Sequence, residues 1–201
     1  MNSNIYLIRH AKTKGNYLKQ YIGVTDEPLC EKGIEELGEK KISGCYPRVD
    51  YVYTSPMRRC CMTRKILYKD IPFEVVPEFT EYNFGDFEGK TYDDLKDRAE
   101  YRAWIDSGGI ERIPGGEDFF VFKQCCCLGF ENIVTKVIAN RLEDTAIILH
   151  GGIIMAILEK YSENKSDFYS WQIKNCEGYK LNIDNDLWVS NKKIREITKI
   201  V

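Results

Sequence analysis

The chain contains two histidines, and each directly follows a short apolar segment that predicts a buried strand. His10 follows the segment at residues 5–8, and His150 follows the segment at residues 145–149. Because ligands bind at the carboxyl ends of the strands in an open α/β sheet, both imidazoles are expected at that edge. A single such histidine is more often a hydrogen-bonded structural residue. The repeated placement favours a functional role for the pair.

The residues near His10 are of types that suit a phosphoryl group. The guanidinium of Arg9 can contact two phosphate oxygens, and a neutral imidazole at His10 can attack phosphorus. Asn16 adds an amide in the same loop. Two further guanidinium groups, Arg58 and Arg59, follow a second predicted strand. Nearby cations lower the pKa of an imidazole, which keeps it neutral and therefore nucleophilic.

Composition indicates a folded, soluble protein whose anion site is local. The 201 residues include 29 Lys and Arg against 31 Asp and Glu, so no global field favours nucleic acid or an anionic membrane. No linker or charge block divides the chain, and we expect one domain over residues 1–201. The sequence shows neither a signal segment nor an apolar run of the roughly 18 residues that span a membrane. A cytoplasmic location is expected, and the oligomeric state stays undefined.

Eight cysteines raise the question of disulfides or a metal site. Disulfide frameworks are typical of short exported chains, so free thiols are expected here. Cys125, Cys126 and Cys127 are consecutive, and consecutive side chains on a helix point about 100° apart. They therefore cannot converge on one metal ion, and no zinc-ligand spacing accompanies them. We predict neither a metal nor a cofactor, and the role of these three cysteines is left open.

Strands and helices alternate along the chain, which predicts a three-layer α/β/α sandwich around a mostly parallel sheet. The predicted strands lie at residues 4–8, 50–54, 73–76 and 145–149. The predicted helices lie at residues 31–43, 56–68, 91–105, 119–137 and 153–161. Apolar residues recur every three or four positions in the fourth helix, which is the pattern of a packed helix.

Two helix starts and the tail of the chain carry specific local predictions. Ser55 is the expected N-cap of the second helix, with proline at N1. Thr91 and Asp94 are expected to form a capping box at the start of the third. In the tail, residues 178–183 and 187–190 predict the two strands of an antiparallel hairpin.

Blocks of polar and glycine residues lie at the ends of these predicted elements across most of the chain. They occupy residues 7–13, 23–29, 53–59, 81–89, 114–117 and 150–152, together with Asn16. In order and spacing they resemble the histidine phosphatase superfamily, which includes cofactor-dependent phosphoglycerate mutases and smaller phosphatases. The resemblance implies a phosphoglycerate mutase-like fold. It also implies that the chain hydrolyses a small organic phosphate ester through a phosphohistidine.

The resemblance assigns roles to individual residues. It implies that His10 is the nucleophile and that Glu81 is the proton donor and, in hydrolysis, the base. It places four residues around the phosphate: Arg9, Asn16, Arg59 and His150. Arg58 is an alternative to Arg59, although the family's Ser-Pro-Leu-x-Arg spacing selects Arg59. Glu88 is the alternative acid.

Ala11 departs from the family pattern, which usually has glycine at this position. If the backbone required a positive φ there, alanine would cost about 1 kcal/mol. An unstrained backbone is the simpler expectation. In the family the carbonyl of this residue orients the nucleophilic imidazole, and alanine still supplies a carbonyl.

Two other functions remain as alternatives. A phosphoglycerate mutase is the nearer one, but the mutases that the chain resembles carry an inserted segment that is absent between residues 89 and 114. A phosphate-binding module without catalysis is the other, and the intact set of site residues disfavours it.

The substrate is less defined than the chemistry. The block at residues 114–117 resembles phosphatases that act on α-ribazole phosphate, while sugar phosphates and phosphoglycerates remain open. Five aromatic residues near the motif loops could pack a ribose or a base, or could be core: Tyr21, Tyr82, Phe84, Tyr92 and Trp104. Lys123 and Gln124 lie where related phosphatases often carry further basic residues.

Overall fold

Within residues 2–200, which the computed structural model describes, six strands form one sheet in the order β3-β2-β4-β1-β5-β6. The strands are β1 (Asn2–Arg9), β2 (Tyr51–Thr54), β3 (Phe73–Val75), β4 (Asp144–Leu149), β5 (Gly178–Asp184) and β6 (Glu196–Ile200). The first four run parallel, whereas β5 lies antiparallel to both β1 and β6. The expected mostly parallel sheet is confirmed.

Helices cover both faces of this sheet. They are α1 (Lys14–Tyr17), α2 (Glu31–Ile42), α3 (Arg58–Leu67), α4 (Tyr92–Leu95), α5 (Ala99–Asp106), α6 (Phe119–Ala139), α7 (Gly151–Tyr161) and α8 (Asn185–Asn191). Side chains alternate across a strand, so Ile5 and Leu7 of β1 pack with α6 and α7. Tyr6 and Ile8 pack with α2 and α3 on the opposite face. This arrangement confirms the three-layer α/β/α sandwich.

Helix α6 has the predicted apolar stripe. Its buried side chains are Phe119, Phe122, Cys126, Cys127, Phe130, Ile133, Val134 and Val137. Cys125 is exposed while its two neighbours are buried, so the three thiols diverge as expected, and all eight cysteines are free. None of the helices in residues 2–200 combines the length and the apolar character needed to cross a membrane.

The predicted N-cap of α3 is wrong. The helix begins at Arg58, with Met57 in the cap position, so Ser55 and the proline after it lie outside the helix. The N–H of Arg58 donates instead to the carboxylate of Asp26, at 2.7 Å. A distant loop therefore caps this helix, a contact that local sequence cannot reveal. The Oγ of Ser55 accepts the N–H of Met57 at 3.3 Å and lies 2.7 Å from Nε2 of His150.

The helix predicted over residues 91–105 is two helices. The capping box of Thr91 and Asp94 is confirmed: the hydroxyl accepts the N–H of Asp94, and the carboxylate accepts the N–H of Thr91. The helix ends at Leu95, and Arg98 adopts an extended backbone with φ −79° and ψ 134° before α5 begins. This extended residue interrupts the helical hydrogen bonds between α4 and α5.

The predicted hairpin in the tail is wrong in its second strand. Residues 187–190 lie in α8, and Trp188 packs into the core. Asp184 starts this helix, because its carboxylate accepts the N–H groups of Asp186 and Leu187, each at 3.0 Å. The polar residues interpreted as a turn are thus an N-cap, and the antiparallel partner of β5 is β6.

Candidate active site

The carboxyl ends of β1 and β4 bring the two histidines together. The two strands pair in parallel, with Arg9 opposite Leu149, and a histidine directly follows each of these residues. The ring centroids of His10 and His150 lie 5.1 Å apart, at an interplanar angle of 63°. Both side chains are buried. The predicted juxtaposition of the two imidazoles at one sheet edge is present in the structure.

His10 is held in one tautomer by its own chain. Nδ1 lies 2.7 Å from the carbonyl oxygen of Ala11, so Nδ1–H donates and Nε2 retains its lone pair. Burial lowers the pKa of His10 well below its usual value, and the positive charges of Arg59 and Arg9 lower the pKa further. The ring is therefore neutral near pH 7, as nucleophilic attack requires.

The backbone at Ala11 is unstrained. Ala11 does not have a positive φ, so alanine in place of glycine introduces no left-handed strain. Its N–H donates to Oγ1 of Thr63 at 3.1 Å, and the Thr63 hydroxyl donates to the carbonyl oxygen of Arg59 at 2.8 Å. Thr63 therefore links the loop that begins at His10 to α3. Sequence reasoning missed this buried threonine.

Arg59, and not Arg58, reaches the site. Arg59 is fully buried, whereas the side chain of Arg58 is exposed. The guanidinium of Arg59 donates to the carbonyl oxygens of Gly23 and Thr25, at 2.7 and 2.9 Å, and its Nε donates to Nδ1 of His150 at 3.2 Å. The loop at residues 23–25 therefore fixes this cation beside the two histidines.

Arg9 supplies a second guanidinium at the end of β1. Its Nη1 donates to the carbonyl oxygen of Ile173 at 2.6 Å, and its Nε has no protein partner within residues 2–200. A Cβ on Gly151 would lie 3.3 Å from Cζ of Arg9, so glycine allows the guanidinium to pack closely over the start of α7. Burial lowers the pKa of Arg9, although the carboxylate of Glu81 opposes that shift.

His150 already has protein partners on both ring nitrogens. Because Arg59 donates to Nδ1, Nε2 carries the hydrogen and donates to Oγ of Ser55 at 2.7 Å. Burial and the charge of Arg59 lower the pKa of His150 well below its usual value. His150 could donate to a phosphate from Nε2 only by exchanging Ser55 for the ligand.

Glu81 has the environment of a proton donor. It is buried, and its carboxylate oxygens accept the N–H groups of Tyr82 and Gly152, at 3.0 and 3.1 Å. Burial raises the pKa of Glu81, and these hydrogen bonds only partly oppose the shift. A Cβ on Gly152 would lie 2.6 Å from Oε1 of Glu81, so a glycine is required for this approach.

Glu88, the alternative acid, lies against the loop at residues 23–25. Its carboxylate accepts the N–H groups of Gly23, Val24 and Thr25, at 3.0 to 3.3 Å, and of Phe84 at 3.1 Å. It thus shapes the loop whose carbonyl oxygens hold Arg59. The Glu88 carboxylate also accepts the hydroxyl of Thr25 at 2.6 Å, so donors of this loop surround it.

Asn16 lies at the same edge and is oriented by two donors. Its Oδ1 accepts the N–H of Thr13 and the side-chain Nδ2 of Asn175, each at 3.2 Å. Asn16 lines the cavity in front of the site, and its own Nδ2 remains as a donor. Asn175 belongs to none of the sequence blocks, and no local pattern marks it.

A cavity of about 430 Å³ opens in front of Arg9, Asn16 and Glu81. Four of the five aromatic residues singled out in the sequence line it, whereas Tyr92 does not: the four are Tyr21, Tyr82, Phe84 and Trp104. Four more aromatic side chains complete the lining: Phe119, Phe122, Phe168 and Tyr169. Lys123, which lies where related phosphatases often carry further basic residues, forms an ion pair with Glu159. Within residues 2–200, no group of three or more His, Cys, Asp or Glu side chains could hold a metal ion.

Comparisons with known proteins agree with this geometry. Residues 5–194 match the sequence profile of the histidine phosphatase superfamily (branch 1). The adenosylcobalamin/alpha-ribazole phosphatase of Salmonella typhimurium is 26% identical over 161 residues, which are 78% of each chain. The alpha-ribazole phosphatase of Shigella flexneri superposes with a TM-score of 0.77 at 23% identity, over 96% of this chain and 93% of that one. For a phosphoglycerate mutase from Bacillus anthracis the TM-score is 0.78 at 20% identity, over 91% and 88%.

Proposed function

The chain belongs to the histidine phosphatase superfamily, and we propose that it hydrolyses a small organic phosphate ester through a phosphohistidine on His10. The observation that carries this proposal is the 2.7 Å contact between Nδ1 of His10 and the carbonyl oxygen of Ala11. This contact fixes the tautomer in which Nε2 is free to attack. The guanidinium groups of Arg9 and Arg59 flank the ring and supply positive charge for the phosphoryl oxygens.

In the first step, Nε2 of His10 forms a bond to phosphorus as the bond from phosphorus to the alcohol oxygen breaks. Glu81 donates its proton to the departing oxygen. The raised pKa of Glu81 favours the protonated form that this step uses. The products are the free alcohol, a phosphohistidine and an ionised Glu81.

In the second step, water attacks the phosphohistidine and the bond between nitrogen and phosphorus breaks. The carboxylate of Glu81 accepts a proton from that water. Inorganic phosphate leaves, and His10 returns to its neutral form with Nδ1–H still directed at Ala11. Glu81 thus gives a proton to the alcohol in the first step and regains a proton from water in the second, so it ends the cycle protonated.

The cavity supports a substrate that carries a flat ring. Eight aromatic side chains line it, and aromatic faces bind rings through offset or edge contacts. The cations among its described lining residues are Arg9 and Lys19, so a substrate carboxylate next to the phosphate would have few partners. α-Ribazole phosphate, which combines a ribose phosphate with an aromatic base, fits this lining. The Salmonella typhimurium relative is named an adenosylcobalamin/alpha-ribazole phosphatase.

A substrate screen tests the proposal. We expect phosphate release from α-ribazole phosphate with a higher kcat/KM than from 3-phosphoglycerate, phosphoserine or ribose 5-phosphate at matched concentrations. An acid-labile phosphoenzyme should be trapped in the wild type and be absent in His10→Ala. Interconversion of phosphoglycerates that depends on 2,3-bisphosphoglycerate would favour the mutase alternative. Phosphate binding without a phosphoenzyme or turnover would favour the non-catalytic module.

We further propose that turnover is independent of metal ions and takes place in the cytosol. Arg9 and Arg59 provide the positive charge that Mg²⁺ supplies in many phosphoryl transfers. Eight free thiols suit a reducing compartment. Dialysis against a chelator should leave kcat unchanged, and metal analysis of the active protein should give substoichiometric metal. Loss of turnover that is restored by one added metal would contradict this proposal.

A further inference from the structure

The segment at residues 173–177 wraps around the end of β1 and contacts the nucleophile. The carbonyl oxygen of Ile173 accepts Nη1 of Arg9, and the N–H of Cys176 lies 3.2 Å from the carbonyl oxygen of Arg9 and 3.4 Å from that of His10. This segment lies outside every sequence block identified above. Its backbone nevertheless approaches the two residues at the centre of the site.

Asn175 makes the side-chain contacts of this segment. It is 7% exposed, and its Nδ2 donates to the carbonyl oxygen of His10 at 3.0 Å and to Oδ1 of Asn16 at 3.2 Å. The carbonyl oxygen can only accept, so the nitrogen of the Asn175 amide must face it. An oxygen in the same place would be repelled by both partners.

The contact with Asn16 also settles which way that side chain points. Oδ1 of Asn16 accepts from both Thr13 and Asn175, so its Nδ2 is directed away from them and stays available at the cavity. Asn175 therefore touches both the residue that attacks phosphorus and the amide expected to bind a phosphate oxygen.

The backbone next to Asn175 is in an uncommon conformation. Cys176 has a φ of 65°, in the left-handed region that residues with side chains rarely adopt. Its carbonyl oxygen accepts the hydroxyl of Tyr46 at 2.9 Å, away from the nucleophile. Such conformations persist where surrounding contacts hold them, often at functional sites. The turn at Cys176 carries the amide of Asn175 towards His10 and Asn16.

We propose that Asn175 is a positioning residue. It holds the imidazole of His10 and the amide of Asn16 in fixed relative positions, so that both contact one phosphate group. The inference rests on the proposed phosphohistidine mechanism. It predicts that loss of the Asn175 amide slows attack on phosphorus and weakens phosphate binding together, while the fold persists.

Two variants separate the amide from the space it fills. Asn175→Asp keeps the shape and places a carboxylate oxygen against two acceptors, whereas Asn175→Ala removes the donor without adding repulsion. We expect single-turnover phosphoenzyme formation to fall by roughly 10- to 100-fold in both, and further in Asn175→Asp, because small misplacements of reacting groups have effects of this size. Tyr46→Phe is the matched control, since it removes a hydrogen bond to the same segment at Cys176. Its rate should stay within about threefold of the wild type.

Histidine NMR provides a readout that a general packing defect would not produce. With two histidines in the chain, ¹⁵N-histidine labelling resolves His10 from His150. In the wild type His10 should show the Nδ1–H tautomer. In the Asn175 variants its signals should shift towards a tautomer mixture, while those of His150 and the thermal melt stay close to the wild type. Tyr46→Phe should leave both histidines unchanged.

The outcomes are distinct. Folded Asn175 variants with wild-type phosphorylation rates and an unchanged His10 spectrum would overturn the inference. An equal loss in Tyr46→Phe would also overturn it, because the effect would then belong to the whole segment. If the wild type forms no phosphoenzyme, the mechanism fails, and the His10 spectra still decide whether Asn175 positions the ring.

Discussion

Nδ1 of His10 lies 2.7 Å from the carbonyl oxygen of Ala11, the next residue in the chain. The contact uses only the backbone of Ala11, so it does not depend on which side chain follows the nucleophile. With Nδ1–H donating to this carbonyl oxygen, Nε2 retains its lone pair. Ala11 itself is fully buried, has no positive φ and donates its N–H to Thr63.

Ala11→Gly should therefore reduce stability without improving catalysis. Glycine increases the freedom of the unfolded chain, and the buried methyl is lost, so the free energy of unfolding should fall by about 1–2 kcal/mol. The value of kcat/KM should stay within about threefold of the wild type. Urea unfolding measures the free energy of unfolding, and steady-state kinetics measure kcat/KM. A rise in kcat/KM of tenfold or more would mean that alanine strains the site.

Glu81→Gln tests the proton donor through its dependence on the leaving group. General acid catalysis contributes roughly 10²- to 10⁴-fold, so phosphoenzyme formation from an alkyl phosphate should slow by about that factor. The effect should be far smaller with nitrophenyl phosphate, whose phenolate leaves without a proton. Single-turnover measurements are needed, because the second step also uses Glu81 and can limit the steady-state rate with an activated ester.

Glu88→Gln is the matched control for this experiment. The Glu88 carboxylate accepts N–H groups of the loop at residues 23–25, which holds Arg59. The variant should therefore lose stability, by about 1–3 kcal/mol, and bind substrate less tightly. Phosphoenzyme formation should slow by the same factor with the alkyl ester and with the nitrophenyl ester. A leaving-group effect in Glu88→Gln and not in Glu81→Gln would transfer the acid role to Glu88.

The two buried histidines should make the fold sensitive to acid. Burial lowers the folded-state pKa of His10 and of His150 well below the ordinary value of 6.5. Above pH 6.5 the two histidines are neutral in both states, and the free energy of unfolding is at its full value. Below pH 6.5 the unfolded chain binds protons that the folded chain does not bind, so the free energy of unfolding falls. The limiting slope is about 1.4 kcal/mol per pH unit for each histidine.

Comparison of the wild type with His10→Gln isolates one histidine. The difference in unfolding free energy between the two proteins should shrink or reverse as the pH falls from 7 to 5, since the variant lacks one of the two proton-binding sites. Urea unfolding across that range measures the difference. The raised pKa of Glu81 acts in the opposite direction in both proteins and cancels to first order. A constant difference across the range would mean that His10 binds protons equally in the folded and unfolded states, so that folding does not lower its pKa.

The amino-acid sequence alone predicts the frame of the site. The apolar runs at residues 5–8 and 145–149 predict buried strands, and the carboxyl ends of neighbouring parallel strands meet at one edge. The resemblance to the family's spacing after Ser55 selected Arg59 over Arg58, and helix geometry adds that the two neighbouring side chains face different directions. These predictions are local, since each depends on residues within a turn or a strand of one another.

Tertiary structure decided the contacts between segments that are distant in the chain. Asn175 hydrogen-bonds to His10 at a sequence separation of 165 residues, and Ser55 to His150 at a separation of 95. Asp26 caps α3 from 32 positions away. A side-chain hydrogen bond of this kind leaves no periodic pattern, because a single donor and a single acceptor suffice. The different surroundings of Glu81 and Glu88 have the same origin. Both are acidic residues in one block, and only the packing around them raises the pKa of Glu81 and directs Glu88 to a loop.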